Sequence, residues 1–170
     1  MVTVALSAPS LNEVEIVQNP ALGAYAIWRF GLGFQSEDSR PAAFPLAFLV
    51  LPLVLHRPTL GMISSTQRAS GLALFAAKLS HERENLLAVH ERALALRRLT
   101  LQSIAMGIGE RLLTLDYVST TIRANTPDST IRKPVLPERI RNFAGAADKV
   151  GYWCSKLSLH QVASTLAVEF

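Results

Sequence analysis

Over most of the chain, apolar positions recur every three to four residues, which predicts helices. Asn12-Glu13-Val14-Glu15 has capping-box spacing and opens a first helix. Asn19-Pro20 restarts the chain: the Asn oxygen accepts a free first-turn amide, and Pro lacks the N–H that would go unpaired there. From Pro20, Leu22, Tyr25, Ala26 and Phe30 follow at helical spacing with Trp28 beside them, to an end near Gly31-Leu32-Gly33. Residues 35–42 have the composition of a polar, exposed loop. Phe44 to Leu55 is apolar at every position, so periodicity alone does not separate helix from strand. Pro52 argues against a central strand and predicts a short buried helix, bent or restarted at Pro52 and stopped at His56-Arg57-Pro58.

Ser64-Ser65-Thr66 is expected to cap the next helix, running to about Ser80. A long helix is expected from about His81 to about Leu112. Leu87, Leu94, Leu101 and Ile108 recur along it every seven residues, and Leu86, Ala93, Ile104 and Ala105 flank them as its apolar face. Glu84, Glu91, Arg92, Arg98, Gln102 and Glu110 form the opposite face, and Gly107 and Gly109 weaken the end. The pattern then alternates with β-branched residues. Residues 112–116 and 119–124, joined by a short turn around Tyr117, predict a β-hairpin. Residues 126–137 form a loop with three prolines. A last long helix starts near Glu138, with Ile140, Phe143, Ala147, Val150 and Cys154 on one face. Ser158-Leu159-His160-Gln161 is a second capping box, opening a short helix with Val162 and Leu166 inward.

The expected fold class is therefore mainly α: a compact helical domain with one small β-hairpin before the C-terminal helices. It spans residues 1–170 as one domain, with 1–10 as a disordered tail. A helix followed by a hairpin also occurs in winged-helix domains, so the pattern is compatible with a winged-helix-like fold without establishing it.

Composition sharpens this picture. Hydrophobic residues make up 49% of 170 and charged residues 18%, and mean hydropathy is +0.25. That is more apolar side chain than one small core needs, so part of it is expected against a partner. The apolar run at 44–55 is too short to span a bilayer and holds two prolines, so a buried core element is expected, with no membrane contact. The start lacks a basic segment of secretory type, which leaves the cytoplasm as the expected compartment. The single cysteine, Cys154, excludes an intrachain disulfide and reads as a buried structural thiol. Residues 1–56 carry a net charge of −2 and residues 57–170 a net of +6.

The sequence offers little for catalysis. It holds no phosphate-binding glycine loop, no HExxH and no Gly-x-Ser-x-Gly. His56, His81, His90 and His160 are scattered, and Asp116 reads as a turn residue. No cofactor, metal or catalytic residue is expected, and the chain is read as not an enzyme. Arg92, Arg97, Arg98, Arg123, Arg132 and Lys133 are the candidate contacts to a partner or to DNA.

Several segments, in order, resemble the middle-component family of three-component ABC ATPase systems. They are Asn19-Pro20-Ala21-Leu22, the stretch Leu51-Pro52-Leu53-Val54-Leu55-His56-Arg57-Pro58-Thr59, and Ser65-Thr66-Gln67-Arg68 followed by Ser70-Gly71-Leu72. Ala105-Met106-Gly107 before Leu112-Leu113-Thr114-Leu115, and Lys156-Leu157-Ser158, complete the series. Gln67 stands where Arg or Lys is common, which leaves Arg68 to supply the charge. The resemblance implies a non-catalytic adaptor between a coiled-coil, SMC-like ABC ATPase and an effector from the same operon. It implies a role in bacterial conflict with phage or plasmids, with DNA reached indirectly through the ATPase. The alternatives are a winged-helix-type DNA-binding module, with the hairpin as wing and Arg123, Arg132 and Lys133 on phosphates, and an enzyme of unrecognised type such as a small nuclease subunit.

Overall fold

The computed structural model describes residues 18–127 and 135–170. The expected helix at Asn12, the tail at 1–10 and the middle of the proline-rich loop lie outside these residues. Helix α1 (Pro20–Phe34) opens as its sequence dictates: Asn19 Oδ1 accepts from the Ala21 amide at 2.9 Å and from Leu22 at 3.4 Å. It does not stop at Gly31 and Gly33. Both glycines lie inside the helix, because α1 presses there against other backbone. A side chain at Gly33 would collide with the Asp148 carbonyl, and one at Gly151 with that of Phe30. Here glycine is a close-approach residue rather than a helix stop.

The segment after α1 is not only loop. Ala42–Ala43 forms a short strand β1, antiparallel to β3 (Thr121–Ala124), which pairs in turn with β2 (Leu113–Asp116). The sheet order is β1-β3-β2, so the expected hairpin is the larger part of a three-stranded sheet. Two alanines carry no strand signal in sequence; their partner supplies it. The side chain of Gln35, at the end of α1, brackets Ala124. It accepts from the Ala124 amide at 2.7 Å and donates to its carbonyl at 3.0 Å. Trp28 Nε1 donates to the Asn125 carbonyl at 2.8 Å. The sheet is thereby fixed to α1.

The apolar run becomes a 3-10 turn (Phe44–Leu46) and helix α2 (Ala47–Val54). The helix passes through Pro52 instead of restarting there. Leu49, Val50, Leu51, Leu53 and Val54 are all buried, which places this run at the centre of the core. Among the described residues no single helix is long and apolar enough to cross a membrane. Helix α3 (Arg57–Ser65) follows with Pro58 in its first turn. This helix was not expected. Ser64-Ser65-Thr66 therefore ends a helix instead of beginning one. Thr66 Oγ1 donates back to the Met62 carbonyl at 2.7 Å and accepts from Lys78 Nζ at 3.0 Å. A 3-10 turn (Arg68–Ser70) leads into α4 (Gly71–Ser80), with Gly71 at φ +81° making the turn that L side chains resist.

The expected long helix is two: α5 (Arg83–Ala95) and α6 (Arg97–Gly109), interrupted at Leu96. Its seven-residue seam faces outward. Leu87, Leu94, Leu101 and Ile108 are 58%, 56%, 45% and 38% exposed. The buried side of α6 instead carries Leu99, Thr100, Ser103, Ile104 and Gly107. The reason is distance. Ser103 sits so close to Gly23 of α1 that the glycine has no room for a Cβ, and a leucine in that position would hold the helices apart.

Helix α7 (Glu138–Ser155) buries Phe143, Ala147, Val150 and Cys154 as expected, with Ile140 partly covered. Helix α8 (Leu159–Leu166) opens with both arms of its capping box made. The Gln161 amide donates to Ser158 Oγ at 3.1 Å, and the Ser158 amide to Gln161 Oε1 at 2.8 Å. Val162 and Leu166 point inward. With eight α-helices and one small sheet among the described residues, the fold is mainly α.

Candidate interaction surface

The expected contact residues separate into three groups. Arg92 is turned inward. Its Nε donates to the Pro52 carbonyl at 3.2 Å and its Nη2 to Thr59 Oγ1 at 3.3 Å, which ties α5 to α2 and α3. Burial works against its charge and lowers its pKa. His56 Nδ1 meets the same Thr59 hydroxyl at 2.7 Å. Burial first, and the charge of Arg92 second, hold its pKa below the ordinary histidine value. Arg97 and Arg98 are exposed at the start of α6. Arg123 is exposed on β3 and donates to the Ser39 carbonyl at 2.8 Å. Arg132 and Lys133 lie outside the described residues.

Asp148 belongs to no sequence motif, yet it gathers a cluster of charged and aromatic groups around it. Its carboxylate takes Arg68 Nη1 at 2.6 Å and Arg29 Nη2 at 3.7 Å. Arg68 also lies over the Tyr152 ring, 4.1 Å from its centroid, and its carbonyl accepts from Trp153 Nε1 at 2.8 Å. Next to it, Lys149 Nζ donates to the carbonyls of Ile63 at 2.9 Å, Ser64 at 3.3 Å and Thr66 at 2.8 Å, a cation placed on the open C-terminus of α3. Lys156 pairs with Glu37 at the edge of this cluster. These bonds hold α1, α3 and α7 together, and they are directed into the protein.

The opposite situation holds at the hairpin. Asp116 is a turn residue: Oδ1 accepts from the Val118 amide at 2.9 Å and Ser119 at 3.3 Å, and Oδ2 from Ser119 Oγ at 2.8 Å. These bonds, led by the Ser119 hydroxyl, hold its carboxyl below the usual range. The turn they fix presents Tyr117 and Val118, 83% and 97% exposed, to solvent. Behind them a shallow groove runs between the end of α6 and β2, lined by Ile108, Arg111, Leu115 and Tyr117. Large apolar side chains on a rigid turn, with one arginine in the groove, are the composition of a binding patch. Among the described residues no group of three or more His, Cys, Asp or Glu is placed to hold a metal ion.

The fold is thus a helical domain with its own core, whose one small sheet carries an apolar projection outward. The chain belongs to the family of Middle Component 3 of ABC-three component (ABC-3C) systems, whose model matches residues 7–170. It is accordingly a component of a multi-component ABC system, with partners in that system. Among curated proteins and solved structures, none matches it.

Proposed function

We propose that the chain is a non-catalytic adaptor that joins the ABC ATPase of its system to a separate effector, in a bacterial response to phage or plasmids. The observation that carries this reading is the hairpin tip. Tyr117 and Val118 are held outward by the Asp116 turn, above a groove containing Arg111, and the core makes no use of them. Family membership implies partners within the same system, and the patch offers a place for one of them. Arg123 stands on the neighbouring strand, and Arg98 on α6.

The experiment is co-purification of the tagged chain with the products of its neighbouring genes across a salt series. Tyr117→Ala with Val118→Asp should reduce capture of one partner at least about tenfold, as expected for a central apolar anchor. Far-UV circular dichroism and Tm should stay unchanged. Undiminished capture by the double variant would remove the hairpin from the interface. Retention of duplex DNA at low salt, lost steeply as salt rises, would favour the DNA-binding module, since phosphate contacts release counterions. The β1-β3-β2 sheet beside α6, with Arg97 and Arg98 exposed on that helix, is the feature such a module would use.

A further inference from the structure

Leu87, Leu94 and Leu101 stand outward along two consecutive helices at seven-residue spacing, the repeat of a helix–helix seam. The charges beside them are ordered. Glu84 and Glu91 precede Leu94; Arg97 and Arg98 follow it. All four are exposed, and none makes an ion pair among the described residues. A stripe that is acidic at one end and basic at the other does not match a partner of single sign. It matches itself reversed.

We propose that this face pairs with a second copy of the chain across a two-fold axis through Leu94, with the helices antiparallel. The spacing fits the symmetry. Glu91 lies three residues before Leu94 and Arg98 four after it, on the same flank of the stripe, so each meets the other's counterpart, and Leu87 and Leu101 lie seven either side and do likewise. The break at Leu96 limits the contact. The interface is short, and the dimer forms by mass action as concentration rises. This pairing uses a different face from the hairpin tip and does not depend on the adaptor reading.

Sedimentation equilibrium of the full chain, from about 1 to about 200 µM, tests it. A monomer–dimer equilibrium is expected. Leu94→Glu, at an exposed position, should abolish the dimer and leave the circular dichroism spectrum unchanged. Glu91→Arg and Arg98→Glu should each weaken it about tenfold, because the symmetric pair is made twice. The double exchange E91R/R98E should restore it, since the reversed charges again face each other. A wild-type chain monomeric at every concentration overturns the proposal, as does a dimer that survives Leu94→Glu. A double exchange no better than the single changes removes the antiparallel register. If a neighbouring gene product binds the stripe of a monomeric chain, as shown by loss of binding in Leu94→Glu, the face belongs to that product and the proposal fails.

Discussion

Gly151 of α7 lies directly against the Phe30 carbonyl of α1, with no space between them for a side chain. Gly33 stands in the same relation to the Asp148 carbonyl, so the two helices meet backbone to backbone at two points. Gly151→Ala must push the helices apart or distort one. The expected loss of stability is about 1–3 kcal/mol, the range for forcing one extra carbon into a packed interior. Urea unfolding of the two proteins measures it, and a loss below about 0.5 kcal/mol would show that the crossing yields easily.

Among the described residues, two hydroxyls on the buried side of α6 have no hydrogen-bond partner, Thr100 Oγ1 and Ser103 Oγ. Both residues are fully buried. A buried polar group left unpaired costs stability that an apolar group of the same shape does not. Thr100→Val should therefore stabilise the protein by about 1 kcal/mol. Ser103→Ala should be neutral or slightly stabilising. A lowered Tm for Thr100→Val would mean that its hydroxyl has a partner.

His56 gives stability a pH dependence of known sign. Its folded pKa lies below the ordinary value of about 6.5, because burial and Arg92 disfavour the charged ring. Below that value the unfolded chain binds a proton that the folded chain resists, so stability falls as pH falls. The stabilising contribution is present at neutral pH and is lost through the interval beneath the unfolded value. The Tm of the wild type should drop more steeply than that of His56→Asn between about pH 7 and pH 5. Parallel curves would place the acid sensitivity elsewhere.

Cys154 is fully buried, and burial pushes its thiol up to about 12. It should resist an aromatic disulfide reagent in the native protein and react at once in denaturant. The rate of native labelling then reports global opening. Rapid labelling without denaturant would show that α7 opens locally.

Local chemistry carried much of the fold into the sequence. The Asn19 cap, the Ser158–Gln161 box, the buried run at 44–55 and the hairpin each follow from residues that interact with near neighbours. Distant partners account for the failures. Gly31 and Gly33 read as an end, because nothing nearby in sequence reveals the α7 backbone against them. Ala42–Ala43 is a strand only because Thr121 and Ile122 pair with it. The leucine seam reads as core until Gly23 shows that α6 needs small residues on its inner face. At the surface, Arg97, Arg98 and Arg123 are exposed, whereas Arg92 is turned into the protein because the Pro52 carbonyl and Thr59 hydroxyl lie within its reach. Asp148 has no sequence signal, since Arg29 and Arg68 approach it from well over seventy residues away.

The backbone contact between α1 and α7 also sets a timetable for synthesis. More than one hundred residues separate Phe30 from Gly151. At a ribosomal rate of about 5–20 residues per second, α1 is made roughly 6–24 seconds before the surface that completes it. For that interval its apolar side lacks its largest neighbour in the finished fold. The nascent chain in this window is the form of the protein most in need of a chaperone's cover.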